Sequence, residues 1–148
     1  MKERLLKNLE DTNRIAQGVA SAVSAPLIIG LVGDLGAGKT TFVRSLIEAL
    51  GGTTEVTSPT FVLQHIYSTS KGSISHWDLY RLKSPPEELF EDISGRGITI
   101  IEWVDKFTEI YDLCDVIITL KVADLGEDSV ISRVLTFSGP KEAKFEHV

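Results

Sequence analysis

One cysteine, two asparagines, few basic residues and no long apolar run each remove a class of protein from consideration. Cys114 stands alone, which excludes an internal disulfide and fits a reducing compartment; just ahead of a strand-like run it reads as a small buried hydrophobe. The longest apolar stretches fall far short of the ~20 residues of a membrane-spanning helix. The opening MKERLLKNLED is charged rather than signal-like, so a cytoplasmic protein with no membrane partner is expected. With 15 Lys and Arg against 21 Asp and Glu, the formal charge of −6 argues against broad contact with a nucleic-acid backbone. An RNA partner would be held through another protein. The 148 residues, 43% of them hydrophobic, suffice for one domain with a real core, residues 1–148, and no repeats or low-complexity tracts interrupt them.

What is present is a complete phosphate-binding loop, Gly33-Asp34-Leu35-Gly36-Ala37-Gly38-Lys39-Thr40. An apolar run, Leu27 to Val32, precedes it and a helical pattern follows, the context in which such a motif carries weight. The strand brings the loop to a sheet edge, the glycines let successive N–H groups curl round phosphates, and the helix adds the positive end of its dipole. Lys39 is expected to reach the β and γ phosphates, and the Thr40 hydroxyl to ligate Mg²⁺.

Around the loop the pattern predicts an α/β fold, a P-loop NTPase-like three-layer sandwich with a central mixed sheet flanked by helices. Ile15, Val19, Ala22 and Val23 recur at helical spacing after Asp11 and Thr12, which read as caps. Phe42, Val43, Leu46, Ile47 and Leu50 give the helix after the loop one apolar face, ended by Gly51-Gly52. Strands are expected from Phe61 to Tyr67 and Ile74 to Leu79, joined as a hairpin through Ser68 to Ser73. A short helix should start at Pro85-Pro86, a strand at Ile98 to Ile101, and a late pair at Val116 to Val122 and Val130 to Phe137. The tail, residues 139–148, reads as solvated and frayed.

A triphosphate site also needs a metal holder and a group that orients water. Glu102 ends the buried-strand pattern Ile98 to Ile101, and Asp78 ends a weaker one, so both carboxylates should arrive at the sheet edge where α/β proteins bind ligands. Thr57 to Phe61 lies where a switch segment would lie, though a plain Ser-Pro turn explains it equally well. His76 could sense the phosphate, orient a neighbouring group or simply be packed, Trp77 and Trp103 default to core, and Arg81, Arg96 and Arg133 are candidate phosphate or acidic-partner contacts among which no spacing picks one.

Taken together, GDLGAGKTTF at Gly33 to Phe42, SPTF at Ser58 to Phe61, HWDLYRL at His76 to Leu82 and IEW at Ile101 to Trp103 resemble the TsaE family, also called YjeE. The likeness covers nearly the whole chain. It implies a P-loop ATPase that works with the TsaB and TsaD proteins in making N6-threonylcarbamoyladenosine at position 37 of tRNA, its ATP cycle resetting the partner complex between turnovers. By the same resemblance Lys39, Asp78 and Glu102 serve catalysis, Thr40 and Glu102 coordinate Mg²⁺, and Asp78 acts on the metal or its water indirectly. Asp34, Leu35, Gly36, Ala37, Gly38, Lys39, Thr40, Thr41, Thr60 and Trp103 would contact ATP, while Ser58 and His76 fall at matching positions nearby. Val104 stands where a proline is common, Ser45 where a glycine is frequent, and Leu89 to Gly95 fits the family pattern poorly.

Other classes fare worse on the residues themselves. A regulatory GTPase needs an NKxD-type element to read guanine, yet Asn8 and Asn13 both precede the loop. A small-molecule kinase needs an acceptor pocket and a lid for which the chain has little room. The alternative that survives is a non-hydrolytic, nucleotide-gated interaction module.

Overall fold

A computed structural model of the chain describes residues 2–52, 63–124 and 131–148. In chain order the elements are β1 (Glu3–Leu6), α1 (Leu9–Ala22), β2 (Leu27–Val32), α2 (Lys39–Ala49), β3 (Gln64–Thr69), β4 (Gly72–Asp78), α3 (Glu87–Ile93) and β5 (Ile98–Glu102). A 3₁₀ turn (Val104–Lys106), α4 (Thr108–Tyr111), β6 (Val116–Asp124), β7 (Ile131–Ser138) and a last 3₁₀ turn (Glu142–Phe145) complete them. The strands form one mixed sheet in the order β1-β7-β6-β2-β5-β4-β3. Its middle, β6-β2-β5-β4, is parallel, and antiparallel pairs close both ends.

β2 is a continuous apolar run, and β5 is nearly one up to Ile101, because both of their faces are covered, as a central parallel strand requires. On one face α1 and α2 bury Ile15, Val19, Phe42, Leu46 and Ile47 against Ile29, Ile74, Ile98 and Ile100. On the other, Leu89, Val104 and Ile110 pack on Trp77, Ile101 and Ile117, with Cys114 among them. Each such side chain removed from water contributes about 1.5 to 3 kcal/mol before the entropy of ordering is subtracted. Cys114 is buried, and burial pushes its thiol up to about 12.

The α1 helix starts earlier than Asp11 and Thr12 suggested. Asn8 is its cap, with Oδ1 accepting from the Asp11 N–H at 2.9 Å. The β3–β4 hairpin forms as expected, turning tightly at Gly72 (φ 97°), but β3 begins at Gln64 among the described residues and continues to Thr69. β1 was not foreseen; four residues at a sheet edge give too short an alternation to register. β6 and β7 pair antiparallel over Ile117 to Asp124, and residues 125–130 between them lie outside the described residues.

The expectation of a frayed tail is corrected. Phe145 is fully buried and stacks on Phe137 with ring centroids 5.0 Å apart. Arg4 on β1 ties the segment down, donating from Nη2 to the Phe145 carbonyl at 2.9 Å and from Nε to the Val148 carbonyl at 3.0 Å, with its guanidinium over the Phe137 ring. One buried aromatic outweighs the polarity of its lysine and glutamate neighbours.

Candidate functional site

Strand parity decides which side chains meet. Ile98 and Ile100 of β5 face the α1/α2 layer while Ile101 faces away, so Glu102 points toward α2. In β4, Ile74 faces the same layer and Trp77 the other, which sends His76 and Asp78 after Glu102. Asp78 and Glu102 are register partners across two parallel strands, and Glu102 also lies opposite Leu31 near the end of β2. Both acids therefore stand at the carboxyl edge of the sheet, beneath the first turn of α2.

The loop connects β2 to α2. Gly36 and Gly38 hold φ of 80° and 100°, which a side chain would strain. A Cβ at Gly33 would come within 2.6 Å of the Leu120 carbonyl, so the close approach of loop to β6 also depends on glycine. Lys39, 5% exposed, turns back onto its own loop: Nζ donates to the carbonyls of Gly33 and Asp34 and sits 4.1 Å from the Trp103 ring centroid. Burial lowers its pKa, while Glu102, Asp105, Asp78 and Asp34 act in the opposite direction.

Glu102 is the junction of the site. Its Oε1 accepts from Thr40 Oγ1 at 3.2 Å, and its Oε2 lies 2.6 Å from His76 Nε2 in a fully buried contact. Nε2 of His76 faces the carboxylate, and among the described residues its Nδ1 is buried without a hydrogen-bond partner. Asp78 is desolvated, which raises its pKa; the Tyr80 N–H bonded to Oδ1 at 2.9 Å lowers it, and Glu102 raises it further. A carboxyl held in that state gains from a nearby cation. Thr40 and Glu102 offer adjacent hard oxygens, the donor chemistry Mg²⁺ prefers, and that ion commonly takes only one or two carboxylates, with phosphates and water completing its shell.

Trp103 has φ 62° and ψ 34°, a left-handed conformation costly for a bulky side chain. Its N–H is bound to the Leu31 carbonyl at 3.1 Å, and its ring packs on Tyr80 with centroids 4.8 Å apart. The strain turns the indole out of the sheet and under Lys39.

These groups border a cleft of about 590 Å³. Leu35, Gly36, Gly38, Lys39, Thr40, Thr41, Asp78, Glu102 and Trp103, all anticipated from sequence, line it. Asp34 and Ala37 instead border a separate cavity of about 330 Å³ on the other side of the loop. Ser58 and Thr60 lie outside the described residues. His76 does not line the cleft but braces Glu102, and Trp77 is core, its Nε1 donating to Asp92 Oδ2 at 2.7 Å. Tyr80, Arg81 and Arg133 join the cleft lining. Of the three candidate arginines, Arg133 reaches the loop, its Nη2 donating to the Gly36 carbonyl at 3.1 Å across 97 residues.

A mixed sheet with helices on both faces defines the α/β class, here with a glycine-rich loop at the carboxyl end of a central parallel strand and two acids beside it. The family model described as threonylcarbamoyl adenosine biosynthesis protein TsaE matches residues 6–131. A relative from Aquifex aeolicus, named tRNA threonylcarbamoyladenosine biosynthesis protein TsaE, is 38% identical over 132 residues, covering 88% of this chain and 94% of its own. One of the same name from Rickettsia felis is 38% identical, covering 90% and 80%. The crystal structure of Bacillus subtilis YdiB superposes with a TM-score of 0.72 at 32% identity, covering 93% of this chain and 84% of that one. The chain belongs to the TsaE family, whose members are named for a role in threonylcarbamoyladenosine biosynthesis on tRNA. Among the described residues no helix is long and apolar enough to cross a membrane.

Proposed function

We propose that this protein is an ATPase of tRNA N6-threonylcarbamoyladenosine synthesis, hydrolysing ATP to reset a TsaB and TsaD complex between turnovers in the cytoplasm. The observation that carries the reading is the Thr40–Glu102 contact at 3.2 Å, with Asp78 in register beside it and Lys39 in the loop above. Thr40 and Glu102 would hold Mg²⁺, which supplies charge neutralisation on the phosphates. Lys39 leaves the Gly33 and Asp34 carbonyls to pair with the β and γ phosphates, exchanging neutral acceptors for anionic ones, a stronger bond. Asp78 would orient the attacking water, and His76 keeps Glu102 from rotating away from Thr40. Trp103 and Tyr80 form an apolar wall that limits water at the reacting end.

The acidic chain, with its −6 charge, suits action on a protein partner rather than direct grip on tRNA. Phosphate release should be slow in the isolated protein and rise on adding TsaB and TsaD. The decisive test is multiple-turnover synthesis of the modified tRNA in a reconstituted system, comparing the parental protein with Glu102→Ala. Product from the variant should stop after the first cycles. Equal product over many cycles would favour a nucleotide-gated scaffold that needs no hydrolysis.

A further inference from the structure

Two buried polar atoms behind the cleft stand without hydrogen-bond partners among the described residues: Nδ1 of His76 and the hydroxyl of Tyr67. Their side chains are 0% and 1% exposed. His76 of β4 lies opposite His65 of β3, so Tyr67, two residues on, is its diagonal neighbour on the same face, and the two rings stand 6.3 Å apart at 37°. The two unpaired atoms thus belong to adjoining rings. A buried hydroxyl without a partner destabilises a fold, and phenylalanine would fill the Tyr67 position without that loss.

Both rings belong to a row of side chains that ends at Glu102. Tyr67 stacks on His65 with centroids 6.1 Å apart, which braces it from the outer strand. His76 in turn meets Glu102 Oε2 at 2.6 Å, a tighter contact than the 3.2 Å between Thr40 and Oε1. A carboxylate drawn toward a cation pulls on the imidazole bonded to it, and an imidazole fixed at one nitrogen pivots about that contact. The Tyr67 hydroxyl is the polar group at hand to stop it. Burial and the Glu102 charge push its pKa up, so it stays a phenol, which can donate to a bare ring nitrogen or accept from a protonated one.

We propose that Tyr67 is a positioning residue for Glu102: with nucleotide in the cleft its hydroxyl bonds His76 Nδ1 and so anchors the imidazole that anchors the carboxylate. The assignment rests on the Mg-ATP reading above. Tyr67 does not line the cleft, so its effect falls on the placement of Glu102 during reaction rather than on nucleotide binding. The cost of the unpaired hydroxyl belongs to the nucleotide-free protein and the gain to the loaded one. One substitution separates the two.

The test is Tyr67→Phe in the whole protein, which keeps the ring and removes the hydroxyl. Without nucleotide the variant should melt no lower than the parent, whereas single-turnover phosphate release should fall about tenfold, the scale of one hydrogen bond, with Mg-ATP affinity within about twofold. Nitrogen-15 labelling of histidine reads the contact itself. The His76 Nδ1 signals of parent and variant should coincide in the nucleotide-free proteins and differ once Mg²⁺ and a non-hydrolysable ATP analogue are added. A lower melting temperature with equal losses of rate and affinity would make Tyr67 an ordinary core residue and overturn the proposal, as would parental turnover or coincident signals in the loaded proteins. Should the parent bind Mg-ATP without hydrolysing it, the ATPase reading fails and the loaded Nδ1 signals decide this contact. A parent that binds no nucleotide would remove the triphosphate reading and this proposal with it.

Discussion

Glu102→Gln separates the charge of the central carboxylate from its packing. Glutamine has the same reach and volume, its carbonyl can still accept from Thr40 or His76, and Glu102 is only 2% exposed, so the surrounding core has no reason to rearrange. What disappears is the negative charge beside Thr40. Removing one electrostatic contact made to a transition state costs on the order of 10²- to 10³-fold in rate, about 2.7 to 4 kcal/mol. Mg-ATP binding should weaken far less, since the loop backbone and Lys39 remain. Phosphate release under single-turnover conditions gives the rate, and calorimetry the affinity. A fall in rate of at least a hundredfold with affinity within about tenfold is expected. Parental turnover in Glu102→Gln would refute the role given to this carboxylate, and an equal loss of rate and binding would make it a binding group only.

Other consequences follow from the same geometry. Asp78→Asn should raise the melting temperature of the nucleotide-free protein at neutral pH. Burial holds the Asp78 carboxyl above its ordinary range, so stability is lost as pH rises through that raised value, and the gain in the variant should vanish where aspartate is protonated in both states. Phe145→Ala should destabilise the fold by about 3 to 5 kcal/mol, read from urea unfolding; a loss under 1 kcal/mol would return the tail to a frayed end. Cys114, with a thiol pushed up to about 12 and almost no exposure, should resist alkylation at pH 8 in the native protein and react on unfolding, which intact-mass measurement would follow.

Much of the site was legible because its chemistry is local in sequence. The loop glycines and Lys39 sit in one octapeptide, and Asp78 and Glu102 end recognisable strand patterns, so their arrival at one sheet edge follows from parallel order. Arg133 carried no such mark. Its contact with Gly36 joins residues 97 apart, and only the order β7-β6-β2 brings them together. The buried tail was invisible for a related reason: Phe145 finds Arg4 and Phe137 at opposite reaches of the chain, while its neighbours Lys144 and Glu146 look like solvent-facing residues. His76 was ambiguous because a lone histidine in a strand has no partner until β5 is laid beside it, and then its contact with Glu102 is diagonal, not directly opposite. Trp103 read as core by residue type and as a nucleotide contact only through the family resemblance; its left-handed backbone, which no residue pattern announces, is what turns it to the cleft.

The central claim is that the loop is a triphosphate cradle with Lys39 as its cation. Titration of Mg-ATP into the parental protein and into folded Lys39→Ala tests it most directly, because the substitution deletes one charge and leaves the glycine backbone in place. Charge-assisted bonds of about 1.5 to 3 kcal/mol predict a loss of affinity of at least tenfold in the variant. Unchanged affinity in Lys39→Ala, with circular dichroism and melting like the parent's, would contradict the account.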